Sequence, residues 1–241
     1  IDEVHLDMDE YCMYALVIQD FHTGDPIDLL RSRRTNVTEP YFVSIPMEER
    51  NAVSYLISDM YNPYLSYVDK YFPNAVPVVD SFHVIQWITR MIDNYIRQLL
   101  KKFRQRDREY QDKLSYEEQK PVSLPPSDEV YLLQKYRWLI LANQSNIKYH
   151  TDLRMDSHFH CMMNTYDYED ALFRIDPKLR DFRDLKELYI QFNNHNAGIP
   201  VKAREELEQL ITKYKSCGYE MFREFASLYG NSLQFVQCPD L

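Results

Sequence analysis

The sequence predicts a mixed α/β fold: a meander of three antiparallel strands, then parallel strands joined by helical crossovers, then a long helical remainder. Three observations predict it. Residues 1–9, "IDEVHLDMD", alternate Val4, Leu6 and Met8 with polar neighbours, the period of a half-buried strand. The β-forming segments "YCMYALVIQDF" and "IDLLRSRR" flank "HTGDP", whose Gly and Pro punctuate a turn. From His83 onward the apolar residues Val84, Trp87, Ile88, Met91, Ile92, Tyr95, Ile96, Leu99 and Leu100 recur at the spacing of a long helix.

Between these regions each element has its own signal. In "SIPMEERNAV", Ser44 can cap a helix, Pro46 suits its first turn, and Glu48 and Glu49 complement its N-terminus. "VSYLISD" follows as a fourth strand. "NPYLSYVDKYFP" sets Tyr64, Val68, Tyr71 and Phe72 on one helical face, "AVPVVD" is a fifth strand, and a helix begins near His83. The predicted order is βββαβαβ over residues 1–82. Residues 83–241 form a mainly helical region: "KPVSLPPSDE" is a loop, and "VYLLQKYRWLILAN", "DLKELYIQFNN" and "KAREELEQLITKYKSC" are separate helices. Asp176-Pro177 and Gly198-Ile199-Pro200 act as breakers. No internal repeat is visible.

Composition narrows the class. The 241 residues are 45% apolar with only four glycines, and no Gly-rich phosphate-cradling motif occurs. Cys12, Cys161, Cys217 and Cys238 lie far apart with no C-x-x-C pair, which reads as buried thiols in a reducing cytosol. No run approaches the roughly 20 apolar residues of a membrane span, and no signal peptide opens the chain. Ile1 has no preceding Met and leads straight into strand-like sequence, as expected of a piece of a longer protein. A net charge of −9 argues against unassisted binding to a polyanion. The average hides a local excess: Arg90, Arg97, Lys101, Lys102, Arg104, Arg106 and Arg108 face only Asp93 and Asp107 in the same stretch. Such a run is as often a solvated helix face as a binding surface.

Three acids fall at informative places: Asp2 in the first strand, Asp59 at the end of the fourth and Asp80 at the end of the fifth. In a βββαβαβ fold the first and fourth strands lie side by side, so Asp2 and Asp59 can converge. Two close carboxylates stay ionised cheaply only when a cation sits between them. Mg²⁺ prefers hard oxygen ligands and binds through one or two carboxylates plus substrate phosphate. Taken alone, an Asp at a strand end is more often a turn former or helix cap. Glu3 should point to the face opposite Asp2. "HFHC" at His158–Cys161 has adjacent ligand types without a second pair, a weak zinc signal.

The pieces "IDE", "DFHTG", "IPMEER", "SDMYNPY", "YFPNA" and "VVDSFHVIQ", in this order and spacing over about the first 90 residues, resemble the catalytic domain of the ISL-three family of insertion-sequence transposases. These belong to the DDE superfamily with a ribonuclease-H-like fold. The resemblance implies that Asp2 and Asp59 are the first and second catalytic, metal-binding acids, served by Mg²⁺ or Mn²⁺, and that Asp80 and His83 of "DSFH" shape the site. It implies DNA as partner, with Arg31, Arg33, Arg34, Lys101, Lys102 and Arg104 as candidates for phosphate contacts, and a cytoplasmic protein acting at the nucleoid. It allows a homodimer, for which the apolar positions Leu132, Leu133, Trp138 and Leu139 could be interface or core. The family's third acid is a Glu in a stretch resembling "NG-x-x-E-x-x-N"; nothing here matches, which places it beyond Leu241 and implies that the chain alone is inactive. Glu205, Glu206 and Glu208 read as an ordinary charged helix. Two other functions fit the same residues: a ribonuclease-H-like nuclease with its third acid inside the chain, or a non-catalytic helical interaction module, which would gain if the strand-end acids were far apart or paired to arginine.

Overall fold

The computed structural model describes residues 1–6, 13–59, 61–195 and 200–231. The chain divides into two compact units, residues 1–85 with 191–241, and residues 86–190. The first boundary falls between residues 85 and 86, and the last two helices group with the α/β part.

In the first unit, β1 (Asp2–His5), β2 (Tyr14–Gln19) and β3 (Pro26–Leu30) form the expected antiparallel meander in the order β1-β2-β3. Its inward face differs from the predicted alternation. Glu3 sits opposite Leu16, which in turn pairs with the buried Leu30, while Val4 is 44% exposed. An inward carboxylate is tolerated because Arg33 and the Tyr64 hydroxyl both donate to it. The positions of Met8 and Cys12 lie outside the described residues.

After β3 the structure has two helices where the sequence suggests one. α1 (Thr35–Ser44) contains Pro40, and α2 (Met47–Ala52) follows with Pro46 at its N-cap position. Ser44 is thus not a cap: it closes α1, its Oγ donating to the Tyr41 carbonyl at 2.6 Å. Glu48 and Glu49 do occupy the first turn of α2. α1 lacks a strong apolar period and contains a helix-breaking residue, so tertiary burial holds it. Phe42 packs on Tyr67, Tyr71 and Phe72, with ring centroids 5.0, 5.4 and 5.5 Å away, and Thr38 shares a buried hydrogen bond with the Tyr67 hydroxyl.

β4 (Tyr55–Ser58) and β5 (Val76–Val79) pair in parallel around α3 (Asn62–Tyr71). Tyr64, Val68, Tyr71 and Phe72 are all buried, as their spacing predicts, and join Leu16, Leu30 and Leu56 in one core. That shared core, together with a 2.7 Å hydrogen bond from the Ile1 nitrogen to the Ile57 carbonyl, brings the start of β1 near β4. Among the described residues no strand ladder joins β1 to β4, so β4-β5 is a two-stranded sheet separate from β1-β2-β3 rather than part of the single mixed sheet predicted. α9 (Pro200–Ser216) and α10 (Glu220–Asn231) complete this unit.

α4 (Ser81–Glu118) runs from the first unit's residues into the second. Ile88, Ile92, Ile96 and Leu100 form its buried row. The helix expected over residues 130–143 is broken into α5 (Asp128–Lys135) and α6 (Trp138–Leu141), because Tyr136 leaves the helical conformation and stacks on Tyr168 at 3.8 Å. The completely buried Lys186 donates to the carbonyls of Ile140, Leu141 and Ala142, closing the C-terminal end of α6. Leu132, Leu133 and Leu139 are core, and Trp138 is 44% exposed.

The region is not helical throughout. β6 (Arg154–Asp156) and β7 (Cys161–Met163) make an antiparallel hairpin, followed by α7 (Thr165–Ile175), capped by an Asn164/Asp167 capping box, and α8 (Lys178–His195). Each strand is three residues long, too short for alternation to show. "HFHC" falls on this turn and leaves Cys161 exposed rather than buried, while Cys217 is half-buried. Cys238 and the Gly198-Ile199 breaker lie outside the described residues.

Candidate functional site

The strand register positions the acids. Parallel pairing sets Ser58 opposite Val79, so Asp59 and Asp80 leave the sheet at the same edge, and the Asp80 N–H donates to the Ser58 carbonyl at 2.8 Å. Each then caps its own turn: Asp59 Oδ1 accepts from the Tyr61 N–H at 2.9 Å, and Asp80 Oδ1 from the Phe82 N–H at 2.8 Å. The turn-forming role of a strand-end Asp is thus fulfilled at both positions, and one oxygen of each carboxylate remains for other work. Asp2 Oδ1 likewise accepts from the Glu3 N–H at 2.7 Å.

His83, on the first turn of α4, lies between two of these acids. Its Nε2 is 3.6 Å from Asp2 Oδ1 and 3.8 Å from Asp80 Oδ2. Burial pushes the Asp59 carboxyl above the usual carboxylate range. The Tyr61 N–H and His83 pull it down, and the charges of Glu3 and Asp2 push it further up. Four of the residues singled out by sequence therefore meet at one edge of the first unit. None of the three acids is paired to Arg or Lys among the described residues.

Glu3 was not singled out, and it shapes the site. Its carboxylate accepts from Arg33 Nη1 at 2.7 Å and from the Tyr64 hydroxyl at 2.8 Å, and the Arg33 guanidinium lies over the rings of Tyr14 and Tyr61 at 4.5 and 4.8 Å. Burial and the Glu3 bond push the Tyr64 phenol up, so it stays a donor, while the Glu3 bond raises Arg33. The local signal was only the triplet "IDE"; partners at positions 33 and 64 cannot be read from it. Arg33 is therefore engaged inside the unit, whereas Arg31 and Arg34 are exposed.

Among the described residues no group of three or more His, Cys, Asp or Glu side chains is arranged to hold a metal ion. Asp2 and Asp59 offer two carboxylates within each other's field, with the raised Asp59 paired to no Arg or Lys among the described residues. That donor set fits an open hard-cation site completed by water and phosphate, and does not fit a closed zinc cage. At "HFHC", His158 Nε2 contacts Asp128 at 2.8 Å and its ring stacks on Tyr131, so it is used structurally. No helix among the described residues is long and apolar enough to cross a membrane.

An α/β unit with clustered acids at its strand ends defines a class of site rather than one function, since many activities share such scaffolds. The family comparison is specific. Residues 1–236 match the transposase family DDE_Tnp_ISL3, and the chain belongs to this family of DNA transposases. Curated proteins and solved structures give no match to the chain.

Proposed function

We propose that this chain contains the phosphoryl-transfer centre of a DNA transposase of the DDE type, on a ribonuclease-H-like core, with Asp2 and Asp59 as the acids that hold divalent cations, Mg²⁺ or Mn²⁺. The observation that supports it is the meeting of Asp2, from β1, with Asp59 and Asp80, at the ends of β4 and β5, and His83, with Asp59 raised by burial and by neighbouring negative charge. Asp2 and Asp59 would hold such ions, and the chemistry they would supply there is activation of the attacking oxygen and stabilisation of the leaving one in strand cleavage and 3′-hydroxyl transfer.

The remaining roles belong to the chain's own side chains. Asp59 and Asp80 each commit one oxygen to a backbone N–H, which fixes the other oxygen's direction. His83 sits between Asp2 and Asp80, its Nε2 3.6 and 3.8 Å from their oxygens, and so limits how far the two carboxylates can move. Arg33 neutralises Glu3 so that Glu3 does not compete as a ligand. Arg31 and Arg34, exposed beside β3, are placed to meet DNA phosphates without reading bases.

The test is a Mn²⁺ titration followed by NMR on the chain, with Asp2→Asn and Asp59→Asn beside it. Paramagnetic broadening centred on residues 2 and 59 is expected, lost in either variant, and metal-dependent DNA strand cleavage by the intact transposase should fall by at least about 100-fold. Unbroadened signals at millimolar Mn²⁺ would refute the assignment.

A further inference from the structure

The basic run of α4 separates by helical angle. At about 100° per residue, Arg97, Lys101, Arg104 and Arg108 fall within a sector of about 60°, whereas Lys102 lies about 140° and Arg106 about 180° from Arg97. The contacts agree with that separation. Arg106 is spent on Glu129 of α5, at 2.8 and 2.9 Å, and on Asp107. Lys101, Arg104 and Arg108 are exposed and have no ion pair among the described residues.

These residues do not face open solvent as a plain stripe. They form one wall of a cleft of about 690 Å³ whose other side includes Gln134 and Arg137, from the α5 and α6 region, and no acidic side chain lines it. Asp93 ties the two walls at one end, 2.7 Å from Arg97 Nε and 3.7 Å from Arg137 Nη1, with its own side chain mostly buried. One carboxylate is thus set against five converging cations in a chain of net charge −9. A bound polyanion would relieve their mutual repulsion, and low-dielectric walls focus the positive potential into the cleft.

We infer that this cleft in the second unit is a seat for the phosphate backbone of duplex DNA, gripped by Lys101, Arg104 and Arg108 with Arg97 and Arg137 at its anchored end. The length of the stripe favours a backbone over a single nucleotide or free phosphate. From Arg97 to Arg108 α4 advances roughly 17 Å, the axial span of about five successive phosphates on one DNA strand. Lys102 takes no part. The inference rests on the transposase reading for its choice of DNA, but it concerns a surface separate from the strand-end acids.

The experiment is fluorescence anisotropy of the chain with a labelled random-sequence DNA duplex across a salt series. Replacing Lys101, Arg104 and Arg108 together by Ala should lower the slope of log affinity against log salt by about three units, at ~0.9 per cation lost, and weaken every sequence alike. Lys102→Ala should leave it unchanged. Millimolar inorganic phosphate or ATP should displace the duplex no more than their ionic strength explains. An unchanged slope in the triple variant, an equal loss in Lys102→Ala, or tighter binding to an RNA hairpin than to the DNA would each overturn the inference. The triple variant should keep the Mn²⁺ broadening at residues 2 and 59, so failure of the cleft and failure of the metal site are read separately.

Discussion

Asp59 in the first unit and Asp156 in the second are both withdrawn from solvent, and their surroundings act in opposite directions. Asp156 is 4% exposed; burial pushes its carboxyl up, but five donors more than reverse this and hold it well below the usual range. The Phe159 and His158 N–H groups donate to Oδ1, and the Tyr168, Tyr131 and Tyr136 hydroxyls to Oδ2, at 2.8, 2.8 and 3.4 Å. Asp59 has the Tyr61 N–H and the influence of His83, set against the charges of Glu3 and Asp2. A carboxylate whose every lone pair is satisfied is a structural rivet. One left raised and under-supplied with donors has free energy to gain from a cation. The contrast separates structure from chemistry better than burial does.

The largest expected effect is on the rivet. Asp156→Ala removes the acceptor that joins the hairpin to α5 and α7, and should cost about 3 kcal/mol in urea unfolding, with no change in the Mn²⁺ broadening proposed for residues 2 and 59. A cost under about 1 kcal/mol would break the contrast. Because its carboxyl is lowered on folding, the stabilisation from Asp156 is present above the unfolded value of 3.8 and fades as pH falls toward the folded value.

Next in size is Glu3→Gln. It leaves Arg33 without its counter-charge, though still stacked on Tyr14 and Tyr61, and should cost about 1–2 kcal/mol. It also removes one charge that raises Asp59, so the carboxyl titration of Asp59 followed by NMR should move to lower pH. An unmoved midpoint would mean that the Glu3 charge takes no part in raising Asp59.

Much of this was legible in the sequence where the signal is local. β4 and β5 announce themselves as short apolar runs ending in Asp, so Asp59 and Asp80 could be placed at strand ends, and the four aromatic and apolar positions of α3 follow from their spacing. What was not legible depends on distant partners. α1 contains Pro40 and stands only because Phe42 finds Tyr67, Tyr71 and Phe72. The β6–β7 hairpin has strands too short to show a period, and its Asp156 is fixed by tyrosines from α5, the turn after it and α7. Glu3 faces inward against the alternation because Arg33 and Tyr64 meet it there. The basic run mixes a structural arginine with cleft-lining ones, and composition cannot separate them although helical angle does.

The smallest effect is the sharpest test of the contrast. Asp59→Asn keeps an Oδ1 acceptor for the Tyr61 N–H and deletes only the charge. The folded protein raises the Asp59 carboxyl above its unfolded value of 3.8, so between those two values the native state binds the extra proton, and stability falls as pH rises through that window. Above it the ionised Asp59 is a standing cost. The Asn variant should therefore be more stable than the parent at pH 7, and the difference should shrink as pH falls below the ordinary carboxylate value, where Asp59 is protonated in both states. Saturating Mn²⁺ should reverse the order, because the cation stabilises only the folded parent. Urea titrations of both proteins at pH 7 and at that lower pH, with and without Mn²⁺, measure all three quantities, and an Asn variant less stable than the parent at pH 7 without metal would place Asp59 beside Asp156 as another rivet.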